Sequence, residues 1–211
     1  MAPAWQGQFF DFWPVTIVRR VLPDSQARNA QIVVLAREME SGDPNLTTNY
    51  QGVDFFRIER PEVQWLRRHI DRTMVAYLAH HDMRYPVRWS LQGWPNINRL
   101  GDYHAPHNHG WCYLSGTYYV QMPPDSPEEA VPAGARPGCI SFYDPRSTVN
   151  MLAGNPAASS AEFAIRPEPG TLLMWHAAVN HFVHPNLSAT ERVSVSFNIV
   201  LEWANHYLAN A

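Results

Sequence analysis

The texture of the chain changes at Tyr85-Pro86, and that change limits the fold more than any other feature. Upstream, two stretches carry apolar residues at helical spacing; downstream, short β-rich runs are punctuated by glycine and proline. A first helix is expected over 24–41, with Ile32, Leu35, Ala36 and Met39 on one stripe, Asp24 or Ser25 as N-cap and Gly42 as the stop. A second is expected from Pro61-Glu62 to about His80-His81. Val63, Leu66, Ile70, Met74, Tyr77 and Leu78 share one face of it, and Arg67, Arg68, Asp71 and Arg72 lie largely on the other. Strands are expected over 87–100, 116–122, 138–143, 171–175, 181–183 and 192–201, with loops over the proline-rich 123–137 and over 144–160. Helices first and many short strands afterwards imply an α+β chain whose strand part is a sandwich or jelly roll. A doubly wound parallel sheet is disfavoured, because the second half shows no alternating helical pattern. With no internal repeat and no linker, 1–211 is expected to be a single domain, with a helical N-terminal part over 1–86 and a jelly-roll core over 87–203.

Composition removes several function classes. A chain of 211 residues can bury a full core. Its net charge of -3 offers no basic excess to displace counterions from phosphates, so no nucleic-acid partner is expected. All sixteen basic residues are arginine, which rules out Schiff-base or lysine general-base chemistry. Cys112 and Cys139 belong to no C-x-x-C pair and read as small buried hydrophobes in a reducing compartment. The start, Met1-Ala-Pro-Ala-Trp5, lacks the basic and apolar regions of a signal peptide. No apolar run approaches the ~20 residues that span a bilayer. A cytoplasmic protein with no membrane partner is the expectation.

The chemistry-bearing residues are histidines. Ten are present, and six fall in two groups: His104, His107 and His109, then His176, His181 and His184. On a strand, residues two apart share a face, so His107 and His109 can reach one ion, with a third imidazole from His181. Imidazole suits iron, zinc, copper and nickel alike, so the group alone does not choose the metal. His104 is three residues from His107 and falls on the opposite face of a regular strand, where a loop position or a supporting hydrogen bond is expected. Alternation also takes His176 and His184 off the face of His181. His69, His80, His81 and His206 lie outside the group and read as ordinary.

The last strand narrows the choice. From position 192, alternation places Arg192, Ser194, Ser196 and Asn198 on one face and Val193, Val195, Phe197 and Ile199 on the other. A polar face of this kind can simply lie in water. Ser and Asn in place of long charged side chains, with one arginine at the start, suit a lined pocket in which Arg192 pairs with a carboxylate.

These stretches resemble the iron(II)- and 2-oxoglutarate-dependent oxygenases, above all a bacterial and phage group with H-x-H followed by a Ser-Gly-x-Tyr-Tyr strand. The matching segments are His107-Asn-His109, Ser115-Gly-Thr-Tyr-Tyr119, Phe142-Tyr-Asp-Pro-Arg146, Pro169-Gly170 with Leu172 to Trp175, His181-Phe-Val-His-Pro-Asn186, and Arg192-Val-Ser-Val-Ser-Phe-Asn198. The resemblance covers about half the chain, and its order and spacing are more specific than any single motif. It implies a double-stranded β-helix, a cupin-like jelly roll with the N-terminal helices packed on it. It also implies Fe(II) on His107, His109 and His181, and Arg192 on the distal carboxylate of 2-oxoglutarate. Asn96 and Asn98 match cosubstrate-contacting positions of the similar alkylation-repair oxygenases, and Ser194 lies beside Arg192 on the cosubstrate face. The family's reaction consumes dioxygen and decarboxylates 2-oxoglutarate to succinate and carbon dioxide, with a ferryl oxidant that most often hydroxylates a substrate.

One position departs from the family pattern. The wider family uses two histidines and a carboxylate, and His109 stands where the acid usually does. Asp102 is an outside candidate for the missing carboxylate, and His109 could instead support the site from outside the metal's own ligands. Tyr118, Tyr119 and Trp175 are candidate cavity aromatics, and Asp144-Pro-Arg146 reads as a turn. A rival reading is a cupin-type metalloprotein that does not use 2-oxoglutarate, because Gly101, five residues and His107-x-His109 also open the cupin motif. The cupin glutamate is absent, with Tyr113 and Leu114 in its place. A non-catalytic small-molecule-binding jelly roll is the other alternative. The expected partner is a small-molecule or side-chain substrate that the sequence does not name, and a homodimer is compatible with the chain.

Overall fold

The computed structural model describes residues 15–42, 54–83, 86–124, 135–144 and 162–202. Within them, α1 (Ser25–Gly42) and α2 (Pro61–His80) precede eight of nine strands. The strands are β1 (Ile17–Val21), β2 (Arg88–Asn98), β3 (His104–His107), β4 (Leu114–Gln121), β5 (Ile140–Tyr143), β6 (Glu162–Ile165), β7 (Thr171–His176), β8 (His181–Val183) and β9 (Arg192–Glu202). A larger sheet runs β1-β7-β4-β9-β2 and a smaller one β3-β8-β5-β6, every pairing antiparallel. Strands β2 to β9 divide four and four between the sheets, as in a double-stranded β-helix; β1 extends the larger sheet along β7. This is the α+β jelly roll with packed helices that the sequence implies.

Each helix lies where its apolar stripe predicts. On α1, Ile32, Leu35 and Ala36 are buried; Pro61 opens α2, where its missing N–H is no loss. Val63, Leu66, Ile70 and Met74 of α2 are fully buried. Both stripes join one apolar cluster with Val193, Val195, Phe197 and Ile199 of β9 and with Leu114, Tyr118, Leu172 and Met174 of the neighbouring strands. Thus one face of the larger sheet is sealed by the helices. The Tyr118 hydroxyl donates to Asn29 of α1 on this side, away from the inter-sheet space. Tyr119 and Trp175 point the other way, into a second cluster with Ile140, Phe142 and Leu173.

Two glycines allow aromatic rings to lie against the backbone of the larger sheet. A Cβ on Gly116 would stand 2.1 Å from the Phe197 ring and 2.5 Å from the Leu173 carbonyl. On Gly93 it would meet the Phe56 ring at 2.3 Å. At the opposite end, Arg99 forms a two-pronged pair with Glu40 of α1, both contacts at 2.8 Å, and reaches Glu191 at 3.3 Å. This exposed network links α1 to the end of β2 and the start of β9.

Three strands lie outside the sequence expectation. β1 is a short run interrupted by Arg19 and Arg20, and β6 is a four-residue edge strand with Phe163 exposed. β3 reads His-Ala-Pro-His, with no strand propensity of its own; it forms on the free edge of β8, where Pro106 needs no ladder donor. The loops expected over 123–137 and 144–160 fall mostly outside the described residues, as do His206 and all but the first residue of Asp144-Pro-Arg146. Among the described residues no helix is long and apolar enough to cross a membrane.

Gly116→Ala is expected to destabilise the protein by about 3 kcal/mol, the upper end for overpacking, because one of the two clashing groups is backbone. Urea unfolding measures it, and a loss under about 1 kcal/mol would show that the Phe197 ring can move aside.

Candidate active site

Register brings the first two ligand candidates together. His107 on β3 is paired directly with His181 on β8, so their side chains share a face and their ring centroids lie 4.2 Å apart. His109 is not on the strand, as simple alternation implies, but two residues past its end. Its backbone N–H donates to the Ala177 carbonyl at 3.0 Å, and its ring lies almost parallel to that of His181, at 6° and 5.3 Å. The nitrogen donors of all three lie within 4.8 Å of one another, and among the described residues no carboxylate joins them. Asp102 is occupied elsewhere: its carboxylate accepts from the Arg99 N–H at 2.7 Å.

The tautomers suit a metal. His107 Nδ1 donates to the Ala105 carbonyl at 2.7 Å and His181 Nδ1 donates to the Val179 carbonyl at 3.1 Å. A carbonyl can only accept, so each proton is on Nδ1 and each Nε2 keeps its lone pair for the ion. Burial, reinforced by the neighbouring His107, pulls His181 down to about 3 and His109 down to about 4. Neutral imidazoles are the form a cation requires. The donor set therefore fits a single iron ion, although its chemistry alone would also accept zinc or copper.

Arg192 begins β9 on the inter-sheet face, opposite Asn98 of β2, and is 1% exposed. Its Nη1 donates to the His184 carbonyl at 3.0 Å, while the buried Nη2 has no hydrogen-bond partner among the described residues. Burial lowers the guanidinium's pKa, with Tyr119 and Asp102 opposing; arginine stays charged regardless. A buried cation with an unmatched donor fits an incoming carboxylate, which accepts the two-pronged geometry a guanidinium offers. Asn96 Oδ1 and Trp175 Nε1 are also buried and unmatched.

The other expected residues share this face. Asn96 and Tyr119 both pair with Ser194, and Asn96 Nδ2 donates to Ser196 at 2.9 Å. Asn98 Nδ2 donates to His104 Nε2 at 3.2 Å. The pocket in front of the triad is walled by Trp94, Thr117, Trp175, Val183 and Ser196, together with His104. Of the three candidate aromatics only Trp175 lines it. Trp94 and Thr117 carry no motif signal, although Trp94 lies at the i−2 position before Asn96 on β2.

His104 departs from expectation. A bulge lets β3 advance three residues, from His104 to His107, while β8 advances two, from Val183 to His181. The extra residue restores His104 to the face of His107, and both line the pocket. Burial, followed by the charge of Arg192, pulls His104 down to about 4. His176 is exposed, and His184 is engaged with Ser141 at 2.7 Å, both off the triad as expected.

Asn186 belongs to a matching segment of the sequence but has no task that its motif reveals. It is fully buried, and its Nδ2 donates to the carbonyls of Asn98 at 3.0 Å and Thr190 at 2.9 Å. Its Oδ1 accepts from the Ser188 N–H. One side chain thus joins the end of β2 to the loop that leads into Arg192.

Residues 92–198, just over half of the chain, match the family model described as "Putative 2OG-Fe(II) oxygenase". The chain belongs to that family. The fold agrees with solved structures at low identity. A Pseudomonas putida prolyl-4-hydroxylase superposes with a TM-score of 0.57 at 12% identity, over 86% of each chain. The α-ketoglutarate-dependent carbocyclase SnoK from nogalamycin biosynthesis gives 0.55 at 13%, over 92% of this chain and 85% of its own. AviO1 from Streptomyces viridochromogenes Tue57 gives 0.52 at 14%, over 87% and 89%. No curated protein sequence matches. The family match extends from β2 through most of β9, so it takes in the triad and Arg192, and it settles the choice between this family and a cupin. Within the family this chain carries a His-His-His triad.

Asn186→Ala strands the buried Asn98 carbonyl and releases the part-buried contact to Thr190, and is expected to cost about 1–3 kcal/mol. Urea unfolding measures the loss, and a change below about 1 kcal/mol would show that water replaces the amide.

Proposed function

We propose that this protein is a 2-oxoglutarate- and Fe(II)-dependent dioxygenase that hydroxylates a small-molecule or side-chain substrate. His107, His109 and His181 would hold the iron, and Arg192 would hold the far carboxylate of 2-oxoglutarate. The observation that carries the reading is the pairing of three converging imidazoles with a buried guanidinium whose Nη2 is unmatched among the described residues, on the same inter-sheet face. When bound, iron and 2-oxoglutarate supply activation of dioxygen coupled to decarboxylation of the cosubstrate to succinate.

The remaining work belongs to the chain. The Ala105 and Val179 carbonyls orient two of the imidazoles and keep their Nε2 atoms unprotonated. The His184 carbonyl fixes one arm of Arg192 and leaves the other for a carboxylate. Trp94, Trp175 and Val183 exclude water from the pocket, which strengthens every charge interaction inside it. Asn96 and Ser194 lie one step along the sheet from Arg192, where a cosubstrate chain running from the guanidinium toward the triad would pass. Cys112 and Cys139 are not joined in a disulfide, and the reducing cytoplasm is the proposed place of work.

The reading is tested by titrating anaerobic protein with Fe(II) and then 2-oxoglutarate, following the visible charge-transfer band of the chelate. His181→Ala should abolish the band. Arg192→Ala should keep iron and weaken 2-oxoglutarate binding roughly 10–100-fold, the worth of one charge-assisted hydrogen-bonded contact. Iron binding with no band at any 2-oxoglutarate concentration would refute the assignment.

A further inference from the structure

Four imidazoles, not three, face the pocket, and the fourth is linked to the arginine. His104 lines the same cavity as His107, His109 and His181, with its ring 6.4 Å from that of His107. On its other side it accepts, at Nε2, the Nδ2–H of Asn98. Asn98 is in turn the cross-strand partner of Arg192. His104 therefore neighbours the metal-ligand candidates on one side and, on the other, is held by the cross-strand partner of Arg192. An amide nitrogen can only donate, so Nε2 of His104 has no proton and Nδ1 carries one. Asn98 is 3% exposed and its main-chain carbonyl is tied by Asn186, so the donor that sets this tautomer is itself fixed.

Resting on the function proposed above, we propose that His104 is a further cosubstrate-binding residue. Its Nδ1–H donates to an oxygen of 2-oxoglutarate between the iron ligands and Arg192, and Asn98 is the positioning residue that holds it in the donating tautomer. The resemblance implied direct contact between Asn98 and the cosubstrate; here the side-chain amide of Asn98 is spent on His104, and the imidazole carries the contact. A donor is the chemistry required at this point. The ligand brings two carboxylates and a keto oxygen, all acceptors, and His107 and His181, whose Nδ1 protons are held by backbone carbonyls, offer it no donor.

The test uses full-length protein under anaerobic conditions, with iron affinity measured by metal competition and 2-oxoglutarate affinity by the charge-transfer band. His104→Phe should raise the 2-oxoglutarate Kd about tenfold and leave iron affinity within about twofold, the latter also reporting a folded site. His104→Gln restores a donor and should recover at least half of the loss. Asn98→Ala should weaken 2-oxoglutarate less than His104→Phe, and adding it to His104→Phe should cost less than about a further twofold, because the two act through one contact. A His104→Phe Kd within about twofold of the unsubstituted protein overturns the proposal, as does a loss of iron binding. Full additivity overturns the part given to Asn98. If the unsubstituted protein itself shows no band, the proposed function fails and this inference falls with it, which distinguishes the two.

Discussion

Strand β9 must satisfy two environments at once, and the rest of the molecule follows from how it does so. Its eleven residues pair with all eleven of β2 on one side and with β4 on the other. Val193, Val195, Phe197 and Ile199 are completely buried beneath the helices. That apolar burial fixes the strand's register, because a slip of one residue would drive every apolar side chain into the inter-sheet space. The same constraint sends Arg192, Ser194 and Ser196 to the inter-sheet face, where Ser196 lines the pocket. A buried arginine is costly unless its donors are met. The hydrophobic face of β9 therefore holds a charge in a position it would not otherwise occupy.

The site is assembled on the same logic from weaker parts. β3 and β8 are four and three residues long, and neither has a hydrophobic face strong enough to fix its register alone. β8 gains its position from β5, whose Phe142 pairs with His181, and β3 gains its position from β8. Beyond β3 the chain is held by the bond from His109 to Ala177, which returns to the turn after β7. The triad is thus secured through backbone contacts to three elements. Each of those elements packs on the cluster of Phe142, Leu173 and Trp175.

Much of this is legible in residue order. Helical spacing locates α1 and α2 to within a residue or two, because only a helix brings apolar residues three and four positions apart onto one buried stripe. Strict alternation locates β9, and its paired Ser and Asn residues point to a cavity where long charged side chains would mean solvent. What stays hidden depends on partners distant in the chain. β3 has no propensity signal and exists because β8 offers an edge. The bulge that returns His104 to the pocket is invisible in local sequence, because it is a mismatch between two strands some seventy residues apart. Asn186 is visible as a motif letter, yet its task depends on carbonyls at Asn98 and Thr190. Alternation puts His109 on a strand that in fact ends at His107; the spacing remains serviceable because the following loop keeps the ring on the same side.

The electrostatic character of the pocket gives the substitution at position 109 a physical meaning. A carboxylate there would bring one negative charge to the ion, and a neutral imidazole brings none. Among the described residues the side chains whose charge acts on His104, His109 and His181 are one another, His107 and Arg192, with Asp102 opposing only at His104 and the Val179 carbonyl only at His181. Asp102 is exposed and held by the Arg99 N–H, so it is screened by water. Among the described residues the donor cluster thus holds no carboxylate, and Arg192 adds a buried positive charge on the same inter-sheet face, so negative charge has to arrive with the ligand. In the proposed reading a dianionic cosubstrate meets that demand at both ends. The triad and Arg192 then act as one electrostatic device, in which the imidazole at position 109 raises the pull on the anion that Arg192 is placed to receive.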